Sequence, residues 1–532
     1  MMLALLLGCA DAAGKKERWI YIPANFQVDA EADRVIALLE RSDKVGFTHA
    51  LLHDSKFSRL GTVTAAYRPN TDKVSATAKR LGIELVPAVF PVGYSNDLLF
   101  HDPNLAEGLP VKNALFEVKD GVAKIIADPP VTLPGTTSRA GWDFVDDAIV
   151  PDDGGLFSKE QKENARLCRK LKVSPFRQYH LSVRIRTAAL AGGQPEIKVL
   201  GTGGKSLQWT SLGVKPDQPW TVHDVTFNSL DSAEINIYFG VWGGHGGAIW
   251  WKDTAIEECG PVNLLRRKGT PLTVKTEAGR QLAEGTDFER VTNPHTGTDP
   301  WPGAYKPWHE PWHEPQFLRM KSFADGEKLR VSYFHTHLIH DGQVCGCVGE
   351  PAFKELLANQ ADEVVSWWGA RTHFMSHDEW RVLGWDDACR AEGRTPGQLA
   401  EENLRFCTGV LRQKVPGGRI LVWNDMFDPF HNAVKDYYLV SGSLEKSWEG
   451  LSPDVEVMNW NFGKRDESLS FFAERGHRQV IAGYYDSDLA DVDAWLASAA
   501  KVEGVRGFMY TTWRQDYSRL EDVAAKLDRA GW

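Results

Sequence analysis

Residues Arg371-Thr-His-Phe-Met-Ser-His-Asp-Glu-Trp380 form an apolar stretch that ends in two consecutive carboxylates, and the fold can be worked out from it. A β-strand is predicted at residues 372–377, and a helix is predicted before it at residues 351–368. Apolar residues at both odd and even positions are typical of parallel strands that helices cover on both faces. Four further strands of this kind, with helical segments between most of them, are predicted at residues 419–424, 455–460, 479–484 and 506–511.

The same pattern occurs at the start of the chain, with strands at residues 18–26, 49–54 and 83–92 and helices at 29–44 and 72–81. Three strands before residue 93 and five after residue 371 make eight. This count predicts an α/β fold, a (β/α)8 TIM barrel, interrupted after its third strand. It requires that the strand at residues 328–335 belongs to the interrupting region.

The interrupting region has a different character. Residues 125–138 are rich in proline, glycine and threonine, as linkers are. Residues 179–187, 196–201, 221–227, 234–240 and 248–256 predict short alternating strands of a β-sandwich, and a helix is expected only at 159–171. The predicted units are 17–135 and 346–532 for the barrel, 136–262 for the sandwich and 263–345 for a small β-rich module.

Composition narrows the partners of this 532-residue chain. The formal net charge is −10 and the sequence pI is about 5.9, and no Lys/Arg-rich run is present, so nucleic acid is not an expected partner. The chain contains 20 Trp residues. Flat aromatic faces in a cleft bury the apolar faces of sugar rings, so this excess points to a carbohydrate ligand.

The first nine residues, Met-Met-Leu-Ala-Leu-Leu-Leu-Gly-Cys9, resemble a bacterial lipoprotein signal, although no Lys or Arg precedes the apolar run. Residues 1–16 are therefore interpreted as a signal and linker, and the protein as an exported periplasmic or surface lipoprotein. The only predicted membrane contact is a lipid on Cys9, since the apolar run is too short to span a bilayer. The other six cysteines are scattered, and no disulfide is predicted.

Active sites of such barrels lie at the carboxyl ends of the strands. All eight predicted strands end in polar or aromatic residues, which a barrel serving only stability would not require. Asp378 and Glu379 are the predicted catalytic residues. The predicted substrate-binding residues at the strand ends are His53, Asp54, His377, Trp423, Asn424, Asp425, Trp460, Tyr484, Tyr485, Asp486, Tyr510 and Trp513.

The adjacent carboxylates suit glycosidic cleavage, which needs a proton donor for the leaving oxygen and a group that stabilises positive charge at the anomeric carbon. A neighbouring carboxylate and partial burial both raise the pKa of a glutamic acid, as a general acid near neutral pH requires. The alternative is structural: Asp378 would cap the following helix and Glu379 would form an ordinary salt bridge.

This Asp-Glu pair resembles that of the family 20 β-N-acetylhexosaminidases. The resemblance implies that Glu379 is the acid/base and that Asp378 orients the 2-acetamido group of the substrate, which attacks the anomeric carbon itself. Residues 483–486, Gly-Tyr-Tyr-Asp, are similar to a strand end of that family whose Tyr binds the acetamide oxygen, a role that would fall on Tyr484. The resemblance also makes Trp423, Trp460 and Trp513 walls of the sugar pocket.

The predicted sandwich resembles the jelly-roll carbohydrate-binding modules, with residues 247–258 similar to their closing strand. Modules of this kind bind glycans or only brace a fold, and the sequence leaves both possibilities open.

Two clusters lie outside the strand ends. His335 and His337 are predicted substrate-binding residues; together with His340 they are also capable of binding a metal, but their spacing matches no closed zinc pattern, so no metal and no cofactor is predicted. The near-repeat at residues 306–315, Lys-Pro-Trp-His-Glu-Pro-Trp-His-Glu-Pro, predicts a rigid aromatic loop because proline recurs every fourth residue. It is interpreted as a wall over the barrel mouth or as a packed loop.

The sequence thus predicts a retaining glycoside hydrolase acting on oligo- or polysaccharide, with substrate assistance by a 2-acetamido sugar as one mechanism. Three alternatives remain. The first is a glycosidase that uses Asp425, Asp486 or Asp54 as a second carboxylate. The second is a surface glycan-binding lipoprotein without turnover. The third is a metal-dependent hydrolase that uses the histidine cluster.

Overall fold

A closed, eight-stranded parallel barrel forms the centre of the computed structural model, which describes residues 16–152, 155–159, 163–293, 308–340 and 342–532. This confirms the predicted barrel. Its first to eighth strands are Glu17–Pro23, His49–His53, Glu84–Val89, Thr372–Met375, Arg419–Trp423, Val455–Asn459, Gln479–Tyr484 and Val505–Thr511. Parallel pairing runs through all of them and closes between the first strand and the eighth.

Apolar residues on both faces of these strands explain the two layers of the barrel core. The inner layer includes Trp19, Leu51, Phe374 and Met509. The outer layer packs the strands against helices. The helices are Asp29–Asp43, Tyr67–Leu81, Pro351–Trp368, Asp387–Arg390, Pro396–Lys414, Arg465–Glu474, Leu489–Ala499 and Leu520–Arg529. None of the described helices is long and apolar enough to cross a membrane.

Between the third and fourth barrel strands, the chain forms antiparallel sheets. Two five-stranded sheets face each other across an apolar core that includes Leu181 and Trp251 from one sheet and Ile197 and Phe239 from the other. The first sheet contains, in spatial order, Gln218–Asn228, Gln178–Ala191, Gly246–Glu258, Gly155–Lys159 and Ile149–Asp152. The second contains Ser206–Trp209, Gln194–Leu200, Glu234–Gly244, Glu163–Lys172 and Phe144–Val145.

A third, six-stranded antiparallel sheet adjoins the sandwich and has its own core around Phe116, Val274 and Val331. Its strands are, in order, Gln281–Leu282, Thr273–Thr276, Lys328–His335, Leu109–Lys119, Val122–Ile125 and Leu318–Arg319. A two-stranded sheet, Val382–Leu383 with Leu439–Val440, completes the strands of the described residues.

Two sequence predictions are corrected here. The segment expected to be a helix at residues 159–171 is extended over residues 163–171, because Ala165, Leu167 and Leu171 face the sandwich core while their backbone pairs with Glu234–Gly244. The first barrel segment does not run to residue 135. Leu109–Lys119 pairs with Lys328–His335, which moves residues 109–125 into the six-stranded sheet.

Candidate active site

A hollow of about 660 Å³ opens at the carboxyl ends of the barrel strands. Each of the eight strands, or the residues that directly follow it, contributes side chains to the hollow. These are Tyr21, His53, Asp54, Ala88, Tyr94, Phe374, Asp378, Glu379, Trp423, Trp460, Tyr485 and Trp513. Its volume lies in the ordinary range for sites that enclose a small ligand.

The loop that carries the acidic pair is held from two sides. The backbone N–H of Glu379 donates to Asp425 Oδ2 at 2.8 Å, and its carbonyl accepts from Gln343 Nε2 at 2.8 Å. Glu379 has a φ of 50°, in the left-handed region that costs a non-glycine residue energy. Gly93 makes room for the loop, because a Cβ there would lie 1.8 Å from the Asp378 carbonyl oxygen.

The Glu379 carboxylate is held by an arginine and a tyrosine. Arg381 Nη2 lies 2.6 Å from Glu379 Oε1, and the Tyr94 hydroxyl donates to Glu379 Oε2. The guanidinium is almost completely buried, and its Nη1 also donates to Tyr94 at 3.1 Å and to Gln343 Oε1 at 2.5 Å. One ion pair and one hydrogen bond therefore fix the position of this carboxylate.

Asp378 is in the opposite situation. Burial, the neighbouring Asp425 carboxyl and Glu379 together hold the pKa of Asp378 well above its usual range. Burial is the largest cause of this rise, because a buried carboxyl loses the solvation of its charged form. One wall of the hollow therefore contains a carboxyl with a raised pKa beside a carboxylate that is paired with an arginine.

Aromatic rings line the rest of the hollow. Trp460 and Tyr485 stack with their ring centroids 5.6 Å apart and nearly parallel, and Tyr485 meets Trp513 at 6.1 Å. Trp513 is 48% exposed, which is unusual for a tryptophan and leaves its face available at the rim. Tyr21 packs against Trp513 at 5.1 Å. Such faces suit the apolar side of a sugar ring.

The sandwich also reaches the hollow. Trp209, at the end of a sandwich strand, lines it together with His340 and stacks on Tyr438 at 5.3 Å. A second hollow of about 660 Å³ shares Trp209 with the first and is also lined by Lys205, Asp436 and Tyr438. The two hollows therefore meet at Trp209, which stands between the barrel mouth and the sandwich edge.

Eight of the sequence-predicted residues lie at the hollow, and eight lie elsewhere within the described part of the chain. Those at the hollow are His53, Asp54, Asp378, Glu379, Trp423, Trp460, Tyr485 and Trp513. Those elsewhere are His335, His337, His377, Asn424, Asp425, Tyr484, Asp486 and Tyr510.

His377 and Asn424 are corrections at strand ends four and five. His377 points into the outer layer, where its Nε2 bonds Asn403 at 3.1 Å and its ring contacts Phe90. Asn424 is buried and donates to Asp428 at 2.7 Å. Both lie on the alternate face from their hollow-lining neighbours, because successive side chains of a strand point to opposite sides.

Asp425 is buried behind the pair rather than exposed in the hollow. Its Oδ2 accepts from the backbone of Glu379 and from Asn432 Nδ2, both at 2.8 Å. Burial, the largest cause, together with the charge of Glu379 raises the pKa of Asp425 to about 7. It supports the loop that carries the acidic pair and contributes to the raised pKa of Asp378.

Strand end seven places Tyr485, and not Tyr484, in the hollow. Residues 484–486 all have φ between 53° and 62°, and this left-handed turn directs Tyr484 outward onto Tyr510 at 4.6 Å. Tyr510 is fully buried in the same outer layer. Asp486 accepts hydrogen bonds from Thr512 at 2.5 Å and from the Trp513 backbone at 2.7 Å, so it holds the eighth loop.

The histidine cluster is divided by the fold. His335 is buried between the sandwich and the six-stranded sheet, where its ring nitrogens bond Gln178 at 3.2 Å and Asn228 at 3.0 Å. His337 is buried as well, and burial lowers the pKa of both rings. His340 alone of the three reaches the hollow, so the three do not form a metal site.

The aromatic loop packs instead of covering the mouth. Lys306 and Pro307 lie outside the described residues. In the described part, Trp308 is buried and donates to Pro103 at 3.0 Å, while Trp312 stacks on His180 of the sandwich at 3.6 Å. The prediction of a wall over the hollow is therefore wrong for residues 308–315.

Several residues of the hollow were missed. Arg381 had a signal, since it stands two positions after Glu379 and can reach the same carboxylate. Gln343 and Trp209 had none, because both come from the region inserted into the barrel and only the packing of that region brings them to the mouth.

Comparisons with known proteins find structural similarity but assign the chain to no family. No protein-family model matches the sequence, and no curated protein matches it. Among solved structures, the chitobiase of Flavobacterium johnsoniae is 10% identical, with a TM-score of 0.39 and a match to 97% of this chain and 52% of that one.

Two other solved structures match in part. The β-N-acetylhexosaminidase of Bacteroides fragilis is 19% identical, with a TM-score of 0.26 over 35% of this chain and 41% of its own. A family 16 carbohydrate-binding module is 13% identical, with a TM-score of 0.20 over 24% of this chain and 98% of its own. Because all three TM-scores lie below 0.5, the function has to be inferred from the hollow itself.

Proposed function

We propose that this protein is a glycoside hydrolase that binds a sugar in the hollow at the barrel mouth and cleaves its glycosidic bond with Asp378 and Glu379. The observation that carries the proposal is the unequal environment of these two adjacent carboxyls. Burial and neighbouring carboxyl groups raise the pKa of Asp378, whereas Glu379 is paired with the Arg381 guanidinium. A proton donor beside a stabilising carboxylate is what glycosidic cleavage requires.

The environment supports a division of labour opposite to the one that the family resemblance implies. Asp378 is the carboxyl whose pKa is raised, so we propose it as the acid. Glu379, which is bound by Arg381 and Tyr94, stabilises the developing cation or orients a 2-acetamido group. For Glu379 to act as the acid, an incoming sugar would first have to displace the arginine.

The remaining carboxylates support a mechanism without a third acid. Asp54 accepts from Phe26 N and Lys56 N, both at 3.0 Å, and from the Tyr67 hydroxyl at 3.1 Å. Asp486 accepts a hydrogen bond from the backbone of the loop after the eighth barrel strand, and Asp425 accepts one from the backbone of the loop after the fourth. A carboxylate committed to such bonds is a weak nucleophile, so the nucleophile is either Glu379 or a 2-acetamido group of the substrate.

The test is a screen of aryl glycosides and native polysaccharides with the wild type, Asp378→Asn and Glu379→Gln. General acid–base groups contribute about 10² to 10⁴ in rate, so each variant is expected to lose turnover by that factor while still binding glycans. Glu474→Gln, at an exposed helix end, is the matched control and should retain full activity. Undiminished turnover in Glu379→Gln and Asp378→Asn would refute the proposal.

A thiazoline mimic of the cyclised acetamido intermediate separates the two nucleophiles. Strong inhibition supports substrate assistance, whereas no inhibition assigns the nucleophile to Glu379. Glycan retention by the wild type with no product from any substrate would instead identify a glycan-binding protein that has kept the barrel without turnover.

A further inference from the structure

Four buried side chains with metal-binding atoms meet beside the barrel mouth: Glu107, Cys347, Asp386 and Cys389. Their ligand atoms all lie within 4.8 Å of one another, and all four residues are buried to 99% or more. We call this group the thiol–carboxylate cluster. Among the described residues it is the one group of three or more His, Cys, Asp or Glu side chains that comes so close together.

The distances within the cluster fit a single ion. The two sulfur atoms, Cys347 Sγ and Cys389 Sγ, lie 3.6 Å apart. Cys347 Sγ lies 3.4 Å from Asp386 Oδ1, and Cys389 Sγ lies 3.2 Å from Glu107 Oε2. In a tetrahedral zinc site with bonds of about 2.3 Å to sulfur and about 2.0 Å to oxygen, sulfur atoms lie about 3.8 Å apart, and sulfur lies about 3.5 Å from oxygen.

The outer oxygens of both carboxylates are already oriented. Glu107 Oε1 accepts from the backbone of Trp385 at 2.8 Å, and Asp386 Oδ2 accepts from Arg267 Nη2 at 2.7 Å. Each carboxylate therefore directs its second oxygen toward the sulfur atoms, although Asp386 Oδ1 also accepts from the Cys389 backbone at 3.1 Å. Ligating carboxylates of metal sites are typically fixed by such outer hydrogen bonds.

Charge also points to a cation. Arg267 pairs with Asp386 at 2.7 Å and lies 3.8 Å from a second carboxylate, Glu350, while Glu107 is buried in the same cluster. Buried carboxylates without enough positive charge are costly, and a divalent ion would supply it. A soft thiolate pair with two oxygens suits Zn²⁺ better than Mg²⁺ or Ca²⁺, which prefer oxygen ligands alone.

We propose that the thiol–carboxylate cluster binds one Zn²⁺ ion in a closed, structural site. With four protein ligands there is no open position for a substrate, so the ion stabilises rather than reacts. It would tie three distant segments of the chain together. Cys347 follows Gln343 by four residues, and Asp386 follows Arg381 by five, so the ion would fix the segments that hold Glu379.

Metal analysis of the purified full-length chain tests this directly. We expect about one zinc per chain in the wild type and in Cys407→Ser, a matched control at a buried thiol that lies outside the cluster and contacts Asn403. Cys347→Ser and Cys389→Ser should each reduce zinc at least tenfold. Zinc below about one-tenth equivalent in the wild type, after growth with added zinc, would overturn the proposal.

A second measurement remains informative if these variants do not fold. Wild-type protein loaded with Co²⁺ should show a thiolate-to-cobalt charge-transfer band in the near ultraviolet and tetrahedral d–d bands, which Zn²⁺ removes by competition. Intact mass and thiol titration address the other chemistry open to two adjacent sulfurs. A protein with a Cys347–Cys389 disulfide and no cobalt band would refute the zinc site. This result is independent of whether the protein hydrolyses glycosides.

Discussion

The acidic pair at the hollow and the thiol–carboxylate cluster each contain a buried arginine that pairs with one of two neighbouring carboxyl groups, but the two sites differ in access to solvent. The first consists of Asp378, Glu379 and Arg381, and the second of Glu107, Asp386 and Arg267. In the hollow, the Glu379 side chain is 22% exposed and the remaining space is lined with aromatic rings. In the thiol–carboxylate cluster, every side chain is buried and the remaining space is filled by two sulfur atoms.

The difference shows that the same charged groups can serve chemistry or structure, depending on what they face. Arg381 also bonds Tyr94 and Gln343, so its hold on Glu379 is one of several polar contacts that a sugar hydroxyl could replace. Arg267 instead bonds Asp386 and the Ala106 carbonyl inside the protein, and it does not line the hollow. We expect loss of each arginine to affect a different property.

The largest expected effect comes from exchanging the two arginines for methionine. Arg381→Met misplaces Glu379 and removes its charge partner, so kcat should fall by about 10²-fold with little change in KM. Arg267→Met leaves a buried carboxylate unpaired and should lower the free energy of unfolding by about 3–5 kcal/mol. Steady-state kinetics and denaturant unfolding measure the two.

Arg381→Lys is the control for position, since it keeps the charge but loses the planar fork, and it should recover part of kcat. The comparison between the two sites would fail if folded Arg267→Met lost turnover while Arg381→Met kept it.

A smaller effect, on KM, is expected from replacing Trp209, the sandwich residue that lines the hollow. An aromatic contact contributes about 0.5–1.5 kcal/mol beyond its buried area, so Trp209→Ala should raise KM for oligosaccharides by about 2–12-fold. Hydrolysis of a short aryl glycoside should change less than about twofold. Trp242→Ala, on the same sandwich but away from the hollow, should change neither. Equal effects on long and short substrates would remove Trp209 from substrate binding.

The smallest expected effect is a shift in the pH dependence of kcat/KM. If Asp378 is the acid, activity requires its protonated form, and kcat/KM falls as pH rises through its raised pKa. Asp425 is one cause of that rise, so Asp425→Asn should lower the pKa of Asp378. The high-pH limb of the kcat/KM profile should then move to lower pH. A limb that stays in place or moves to higher pH would argue against Asp378 as the acid.

The barrel was predictable because its signal is repetitive. The sequence predicted Gln479–Tyr484, Lys328–His335 and Pro351–Trp368 with the bounds found in the structure, since each is a continuous apolar or periodic segment between clear breaks. The segment Glu163–Lys172 was misjudged as part of a helix. Its extended form depends on pairing with a strand about 70 residues later, which local periodicity does not record.

The site was predictable in position but not in orientation. Strand ends pointed to Asp378, Glu379, Trp460 and Trp513 because parallel strands of a barrel bring their carboxyl ends to one mouth. The backbone geometry after each strand decided which of two neighbouring residues faces the hollow. The left-handed turn at residues 484–486 placed Tyr485 inward and Tyr484 outward, and no feature of the sequence marked this turn.

By itself, the sequence determined the eight-stranded barrel, the inserted sandwich and the acidic pair at a strand end. The alternation of apolar residues, their helical period and the succession of segments along the chain can all be seen in the sequence. Only the tertiary structure decided that Gln343 bonds the Glu379 backbone, that Trp209 reaches the hollow and that Glu107, Cys347, Asp386 and Cys389 meet. These contacts join segments up to 282 residues apart. Their distances depend on how the inserted domains pack on the barrel, and packing is a property of the whole fold.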